Sequence, residues 1–307
     1  MSRDGFLSRL PIYRHIKNEM VKRSEIRTAT QRLLRLGIAD YIERNLEDNP
    51  KYDDARRLAR SEFSVFSQYG EDGAIREIFR RIGETNRFFV ELGVGTGVEN
   101  NTVYLLTKHW RGAWVEGGRK QAAEIGKIFA AELKSGSLSL WPGVVTAANV
   151  ESVLSELRVP EEPDLLSLDV DYGTYWVWRG IVRWHPRVVV IEYNAAFPPS
   201  DDWVVGQGVV GQGVVGQGND TRSGATIWDG SSHMGASLGA LCRLGETKGY
   251  SLVGCSFAGG NAFFVRSDLA GTHFCEPYTA QNHYEPARYF LYHDTGHRRG
   301  WGPFVSQ

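Results

Sequence analysis

The stretch FFVELGVGTG, residues 88–97, decides the fold, because a short apolar run leads directly into three alternating glycines. Glycine lets the backbone turn sharply and leaves room for a ligand where another residue would place a Cβ atom. At the carboxyl edge of a parallel α/β sheet, such a turn borders the crevice in which ligands bind. We therefore predict that Gly93, Gly95 and Gly97 bind a cofactor.

Short apolar runs continue along the chain and alternate with helical patterns, of which residues 72–82 are the first. This alternation predicts parallel strands with helices on both faces of a sheet. Only the turn FAGG separates the last two runs, so these must pair antiparallel. The sequence thus predicts an α/β fold with a doubly wound, mostly parallel, seven-stranded sheet. Its predicted strands are FFVEL (88–92), GAWVEG (112–117), LSLWPGVV (138–145), DLLSLDV (164–170), RVVVIEY (187–193), YSLVGCS (250–256) and NAFFVRS (261–267).

Two acidic residues near the glycines indicate the kind of cofactor. Glu91 lies two residues before Gly93, where its charge would repel a dinucleotide pyrophosphate but can pair with an ammonium group. S-adenosylmethionine (SAM) carries an α-ammonium group and no phosphate. Glu116 ends the next strand, and its carboxylate can accept hydrogen bonds from ribose hydroxyls. Because NAD and SAM both contain that ribose, Glu116 indicates a ligand with a nucleoside group but does not distinguish between the two cofactors.

The acid-x-G-x-G-x-G pattern with a second acid closing the next strand resembles class I SAM-dependent methyltransferases. A wider set of segments resembles an FkbM-type family of bacterial methyltransferases over about residues 61–270. The resemblance implies a Rossmann-like sheet, SAM as the cofactor and methyl transfer, with Gln68 and Tyr69 lying over the carboxylate end of the cofactor. The matching segments are SQYGEDG (67–73), FFVELGVGTGVENNT (88–102), LLSLDVD (165–171) and VVVIEYN (188–194).

The segment SQYGEDG also has a local interpretation that needs no ligand. Ser67 can cap a helix, and Gly70 eases the turn that leads into it. Glu71 and Asp72 favour the first turn of that helix, because their charges complement the helix dipole. Both interpretations stay open at this point.

Oxygen-bearing side chains follow the fourth and fifth predicted strands: Asp169 and Asp171 after one, Glu192 and Asn194 after the other. We expect them to converge at the carboxyl edge, with Asp169 also contacting the cofactor. Converging carboxylates need a cation, a proton or a basic side chain between them. One prediction is that all four side chains bind Mg²⁺ or Mn²⁺. The alternatives are cofactor binding or general-base catalysis without a metal, or ion pairs with Arg179 or Arg187.

His233, in the segment WDGSSHMGASL (228–238), is a candidate catalytic base alongside Asp169 and Asp171. An imidazole can remove a proton from an acceptor hydroxyl near neutral pH. We therefore expect O-methylation of a small molecule such as a sugar, a glycan or a natural product. Two alternatives stay open: a nicotinamide-dependent oxidoreductase on the same sheet, and a non-catalytic methyltransferase-like binding or scaffold module.

Changes of pattern predict three regions: a basic helical extension at 1–60, the methyltransferase domain at 61–270 and an aromatic-rich tail at 271–307. Three tandem VVGQG units at 204–218 predict a flexible loop, since glycine weakens both helix and strand. We expect the extension to pack on the main domain or on the partner subunit of a homo-oligomer. Its apolar side chains are Ile26, Leu33, Leu34, Leu36 and Ile38.

The overall composition narrows the location and the partners. A formal net charge of −1 indicates neither a nucleic acid partner nor an anionic membrane surface. No run of about 18 apolar residues predicts a membrane span, and charges interrupt the N-terminal segment where a signal peptide would be apolar. The widely spaced Cys242, Cys255 and Cys275 favour a reducing compartment. We therefore expect a cytoplasmic protein that acts on a small-molecule acceptor.

Overall fold

The computed structural model describes residues 11–207, 231–292 and 304–306 of the 307-residue chain. The chain divides into two compact units, Met1–Asp53 and Asp54–Gln307. Within the described ranges, no helix combines the length and the apolar character that crossing a lipid bilayer requires.

The first unit contains one long helix, α1 (Pro11–Ile42), followed by a π-helical turn at Glu43–Glu47. A break follows at Asn49, where the side chain accepts a hydrogen bond from Lys51 N (3.0 Å) and caps a separate turn. The packing predicted for the apolar side chains of α1 stays a prediction. Its exposed members include Ile26, Leu33, Leu34 and Leu36.

Strands and helices alternate through the second unit. The strands are β1 (Phe88–Leu92), β2 (Arg111–Glu116), β3 (Leu138–Pro142), β4 (Leu165–Leu168), β5 (Val188–Glu192), β6 (Trp203–Val205), β7 (Tyr250–Cys255), β8 (Asn261–Arg266) and β9 (Phe304–Ser306). The helices are α2 (Glu71–Ile82), α3 (Val103–Leu106), α4 (Arg119–Ile128), α5 (Ala130–Ser135), α6 (Val150–Glu156), α7 (Thr174–Gly180), α8 (Leu238–Thr247), α9 (Ser267–Ala270) and α10 (Ala280–His283).

Seven strands form one sheet in the spatial order β3-β2-β1-β4-β5-β8-β7. β1 to β5 run parallel, whereas β8 is antiparallel to both of its neighbours. The predicted doubly wound, mostly parallel sheet is therefore confirmed, and its arrangement is that of the methyltransferase Rossmann-like fold. The order of strands reverses between β1 and β4, and ligands bind outside the carboxyl ends of strands at such a reversal.

Alternate side chains of each strand enter two apolar clusters on opposite faces of the sheet, as a two-residue strand period requires. Leu92 and Ile191 pack in the cluster that contains side chains of α6, α7 and α8. Phe89 and Val190 pack in the other cluster, against side chains of α2 and α4. Burial on both faces fixes the carboxyl ends of β1, β4 and β5 beside one another.

The first VVGQG unit begins within a strand. Val204 and Val205 lie in β6, are fully buried and pair antiparallel with β9. Val205 O also accepts a hydrogen bond from Trp176 Nε1 (2.8 Å), and β-branched valine suits a half-buried strand. The prediction of a flexible loop at 204–218 is therefore wrong for these two valines, while residues 208–218 lie outside the described residues.

Candidate active site

The chain leaves β1 through Gly93, Gly95 and Gly97, whose φ angles are 85°, 60° and 81°. For a residue with a Cβ atom, this left-handed conformation costs about 1–2 kcal/mol. At Gly93, an added Cβ would lie 1.6 Å from the carbonyl oxygen of Asp169. At Gly95, no described heavy atom lies within 4 Å of the Cβ position. Gly93 thus lets β4 approach, whereas Gly95 borders open space that a ligand can enter.

Glu116, at the end of β2, folds its carboxylate back onto the glycine turn. Oε2 accepts hydrogen bonds from Gly95 N (2.7 Å) and Val94 N (3.1 Å), and Oε1 accepts one from Gly118 N (2.6 Å). An ionised carboxylate offers about four acceptor positions, so one remains for a hydroxyl group of a ligand. Glu116 therefore shapes the turn and also borders its open side.

Glu91 lies behind the glycine turn, where it is buried. Its Oε1 accepts a hydrogen bond from Asn101 N (3.0 Å), and its Oε2 accepts one from Thr102 Oγ1 (2.5 Å). Thr102 Oγ1 accepts in turn from Trp114 Nε1 (2.8 Å). Loss of solvation raises the pKa of Glu91 to about 7. This network fixes the loop after the turn, and contact between Glu91 and a cofactor ammonium group stays a prediction.

The raised pKa of Glu91 predicts that the protein loses stability as the pH rises. Between the ordinary pKa of 4.5 and the folded value of about 7, the folded state binds more protons than the unfolded state. The free energy of unfolding therefore falls with increasing pH, by up to about 3 kcal/mol from this group. We expect Glu91→Gln to flatten the dependence measured by urea unfolding between pH 4.5 and 7.

Glu77→Gln is the matched control for this measurement. Arg80 and Arg81 lower the pKa of Glu77 to about 2, because both guanidinium groups bind its carboxylate. Folded Glu77 is ionised throughout this range and unfolded Glu77 is largely ionised above about pH 5.5, so its replacement should leave the slope between pH 5.5 and 7 unchanged. A Glu91→Gln slope equal to that of the wild type would contradict the assignment.

Asp169 and Glu192 meet at the carboxyl edge, as predicted, and their carboxyl groups share a hydrogen bond. Asp169 is open to solvent, but protein surrounds it on most sides. This limited solvation, and then the charge of Asp171, raises the pKa of Asp169 to about 7. Loss of solvation and the charge of Asp169 raise the pKa of Glu192 well above its ordinary value. A proton shared between the two carboxyl groups therefore relieves their repulsion.

Neither arginine considered from the sequence pairs with these acids. Arg187 precedes β5 at the opposite edge of the sheet, where its Nη1 forms a buried ion pair with Asp164 Oδ1 (2.7 Å). Arg179 lies with its guanidinium group 5.4 Å from the ring centre of Trp176. Neither of these two guanidinium groups therefore neutralises the acids at the carboxyl edge.

The predicted metal site does not fit these residues. Asn194 is buried, and its Oδ1 accepts a hydrogen bond from Ala196 N (3.1 Å). Asp171 sits on an exposed turn with φ 52°. In the described part of the chain, no group of three or more His, Cys, Asp or Glu side chains could hold a metal ion. We therefore assign no ion here, and Asn194 has a structural role instead.

Asn194 anchors the segment that carries His233. Its Nδ2 donates to the carbonyl oxygens on either side of that residue, Ser232 O (2.8 Å) and Met234 O (3.0 Å). His233 is only 7% exposed, and its Nε2 has no hydrogen-bond partner among the described residues. Because buried polar atoms nearly always have a partner, this nitrogen is a candidate group for contacting a ligand.

Aromatic side chains surround His233. Its ring centre lies 5.6 Å from that of Tyr172, which follows β4, and 4.7 Å from that of Phe304 in β9. Phe304 also contacts Phe197 (5.0 Å) and Trp203 (5.7 Å), which stack on each other with 17° between their planes. We call Tyr172, Phe197, Trp203, His233 and Phe304 the aromatic patch.

The local interpretation of SQYGEDG is confirmed for the turn at Gly70 and for Glu71 and Asp72 in the first turn of the helix, whereas the N-cap residue is Gly70 and not Ser67. Helix α2 begins at Glu71, directly after Gly70, whose φ is 101°. Asp72 N donates to Ser67 Oγ (3.0 Å), and Asp72 Oδ2 accepts from the backbone N–H groups of Val65, Phe66 and Ser67. These bonds fold the preceding segment onto the first turn of the helix.

Gln68 is exposed, whereas Tyr69 is buried. The Tyr69 ring stacks on Tyr289 at 5.3 Å and meets Tyr292 edge-on at 5.5 Å. The structure therefore places Tyr69 against the segment that follows α10. Contact of Gln68 and Tyr69 with the carboxylate end of a cofactor stays a prediction.

The sequence-based predictions missed two features of this edge. Glu71 is fully buried and accepts a hydrogen bond from Asn261 Nδ2 (2.8 Å), and Asn261 pairs with Glu192 across β8 and β5. The aromatic patch combines four separate chain segments. The run FPPSDDW (197–203), which has an aromatic residue at each end and follows the fifth strand, is a pattern that indicates part of it.

No family model and no curated protein matches the chain. Solved structures similar to it include an O-methyltransferase from Bacillus cereus in complex with S-adenosylhomocysteine (SAH), at 15% identity over 51% of this chain and 72% of that chain, with a TM-score of 0.33. A proposed caffeoyl-CoA O-methyltransferase from Staphylococcus aureus shows 12% identity over 75% and 99% of the two chains, with a TM-score of 0.43. NcsB1, an O-methyltransferase from neocarzinostatin biosynthesis with bound SAM and 2-hydroxy-5-methyl naphthoic acid, shows 13% identity over 59% and 49%, with a TM-score of 0.33. At identities and TM-scores this low, the cofactor and acceptor of a neighbour do not transfer to this chain.

Proposed function

We propose that the protein is a SAM-dependent methyltransferase that methylates an oxygen of a small molecule such as a sugar, a glycan or a natural product. The open position at Gly95 carries the proposal. It lies in a left-handed turn at the end of β1, next to the reversal of strand order, and Glu116 borders it. A glycine turn of this kind admits a ligand close to the backbone, and a carboxylate beside it suits a ribose.

SAM, when bound, supplies a methyl group on a positively charged sulfur. The chain places three carboxyl groups on the same edge of the sheet, at Asp169, Asp171 and Glu116, and in their ionised form they attract a cationic donor. Glu116 accepts a hydrogen bond from the ribose while holding the glycine turn in place. Bringing donor and acceptor into reacting distance on a rigid sheet edge accounts for much of the rate enhancement in such a displacement.

Calorimetric titration with SAM, SAH and NAD tests the proposal. We expect SAM and SAH to bind and NAD to show no heat of binding. Glu116→Ala should weaken SAM binding by about 1–3 kcal/mol, because it removes a hydrogen bond to a charged group. Glu124→Ala, which removes the same charge from an exposed position on α4, should leave the affinity unchanged.

The alternatives have distinct outcomes in the same experiment. NAD binding in preference to SAM would overturn the proposal in favour of an oxidoreductase. SAM binding without methyl transfer to any member of a broad panel of hydroxylated acceptors would indicate a binding or scaffold module.

A further inference from the structure

We propose that the aromatic patch is the acceptor site and that it takes a planar ring bearing a phenolic hydroxyl group, with His233 as the base. This inference rests on the proposed function and specifies its substrate class. The proposal rests on two neighbouring features: a buried imidazole nitrogen that has no hydrogen-bond partner among the described residues, and a partly exposed aromatic surface.

The position of the patch places it on the donor's edge of the sheet. Tyr172 directly follows Asp171, and the Cβ position of Gly235 lies 3.8 Å from Asp171 O. Val205 N donates to Gly235 O (3.0 Å), which joins β6 to the His233 segment. The patch is thus built onto the ends of β4 and β5; β4 neighbours β1, which leads into the glycine turn, and β5 is the next strand in the sheet.

The chemistry of the patch favours a flat, largely apolar ring. Trp203 is 45% exposed while it stacks on Phe197, so part of its ring surface is accessible to a ligand. Aromatic rings pair by offset stacking or edge-to-face contact, at about 0.5–1.5 kcal/mol beyond burial of area.

The proton transfer also favours a phenol. In the proposed step the acceptor oxygen forms a bond to the methyl carbon while the methyl–sulfur bond breaks, and its electron pair returns to sulfur. The hydroxyl proton passes to Nε2 of His233, which gains the positive charge that the sulfur loses, so the charges balance. Phenols have an ordinary pKa of about 10, against about 15.7 for water, which saturated alcohols resemble. A base that works near neutral pH therefore deprotonates a phenol much more readily.

Fluorescence titration of the full chain with 7-hydroxycoumarin, in the presence of saturating SAH, tests the site. We expect the wild type to bind this probe and not methyl β-glucopyranoside. Trp203→Leu should weaken binding of the probe at least tenfold, whereas Trp203→Phe, which keeps an aromatic face, should retain it. Phe290→Leu, at an aromatic position that is also 45% exposed, is the matched control and should bind as the wild type does.

Single-turnover methylation of 7-hydroxycoumarin tests the role of His233. His233→Gln should lower the rate at least 100-fold while changing the Kd of SAM and of the probe less than threefold, since general bases contribute about 10²–10⁴ in rate. If His233 had only a structural role, its replacement would weaken binding of the probe as well as lower the rate. Binding of the glucoside in place of the phenol, or an unchanged rate in His233→Gln, would overturn the inference and leave the proposed function standing. Failure of the wild type to bind SAM would overturn both.

Discussion

Gly93→Ala is expected to lower the free energy of unfolding by about 4 kcal/mol or more, the largest stability effect that we predict for a single methyl group. The added Cβ would lie 1.6 Å from Asp169 O, far inside the contact distance of carbon and oxygen. Because that oxygen belongs to the backbone directly after β4, relief requires β1 and β4 to separate. The φ of 85° adds the strain of a left-handed alanine. Urea unfolding monitored by tryptophan fluorescence measures the loss.

Gly136→Ala separates the clash from the backbone strain. Gly136 follows α5 with φ 77°, and no described atom lies within 4 Å of its Cβ position. Its replacement should cost only the left-handed strain, about 1–2 kcal/mol. Equal losses in Gly93→Ala and Gly136→Ala would show that β4 does not approach the glycine turn as closely as the structure places it.

Gly95→Val is expected to weaken SAM binding at least 100-fold, measured by calorimetric titration. The Cβ position of Gly95 faces open space beside Glu116, so a branched side chain would occupy the volume that the proposed cofactor needs. A hundredfold loss corresponds to about 2.7 kcal/mol. Stability should fall as well, because valine is strained at φ 60°.

Gly136→Val controls for that strain, since it places the same side chain in the same backbone region outside the glycine turn. We expect both variants to lose similar stability and only Gly95→Val to lose affinity. Unchanged SAM affinity in a folded Gly95→Val variant would remove the central support for the proposed function.

The fold could be predicted because it depends on patterns that are local in the chain. The apolar runs of β1, β2, β4 and β5 are each short and continuous, as strands buried on both faces must be. The hairpin of β7 and β8 could be predicted because the turn between them is too short for the crossover that parallel strands require. The repeat at 204–218 misled prediction, because two valines in a glycine-rich segment pair with β9, which is distant in sequence.

The convergence of Asp169 and Glu192 could also be predicted, since parallel strands end at one edge. The sequence could not predict how the repulsion between these two carboxyl groups is relieved, because that depends on how closely their oxygen atoms approach. Asn194 shows the same limit. Its place after β5 suggested a metal ligand. In the structure, its amide nitrogen instead donates hydrogen bonds to the carbonyl oxygens of Ser232 and Met234, some 40 residues away in the chain.

By itself, the sequence determined where the chain turns and which ends of the strands meet, because glycine positions and apolar runs act within a few residues. It placed Gly93, Gly95 and Gly97 at the carboxyl edge of the sheet without separating their roles. Only the tertiary structure decided that Gly93 admits a backbone oxygen while Gly95 faces open space. It alone assembled the aromatic patch around His233, since side chains from four segments become neighbours only after the sheet has formed.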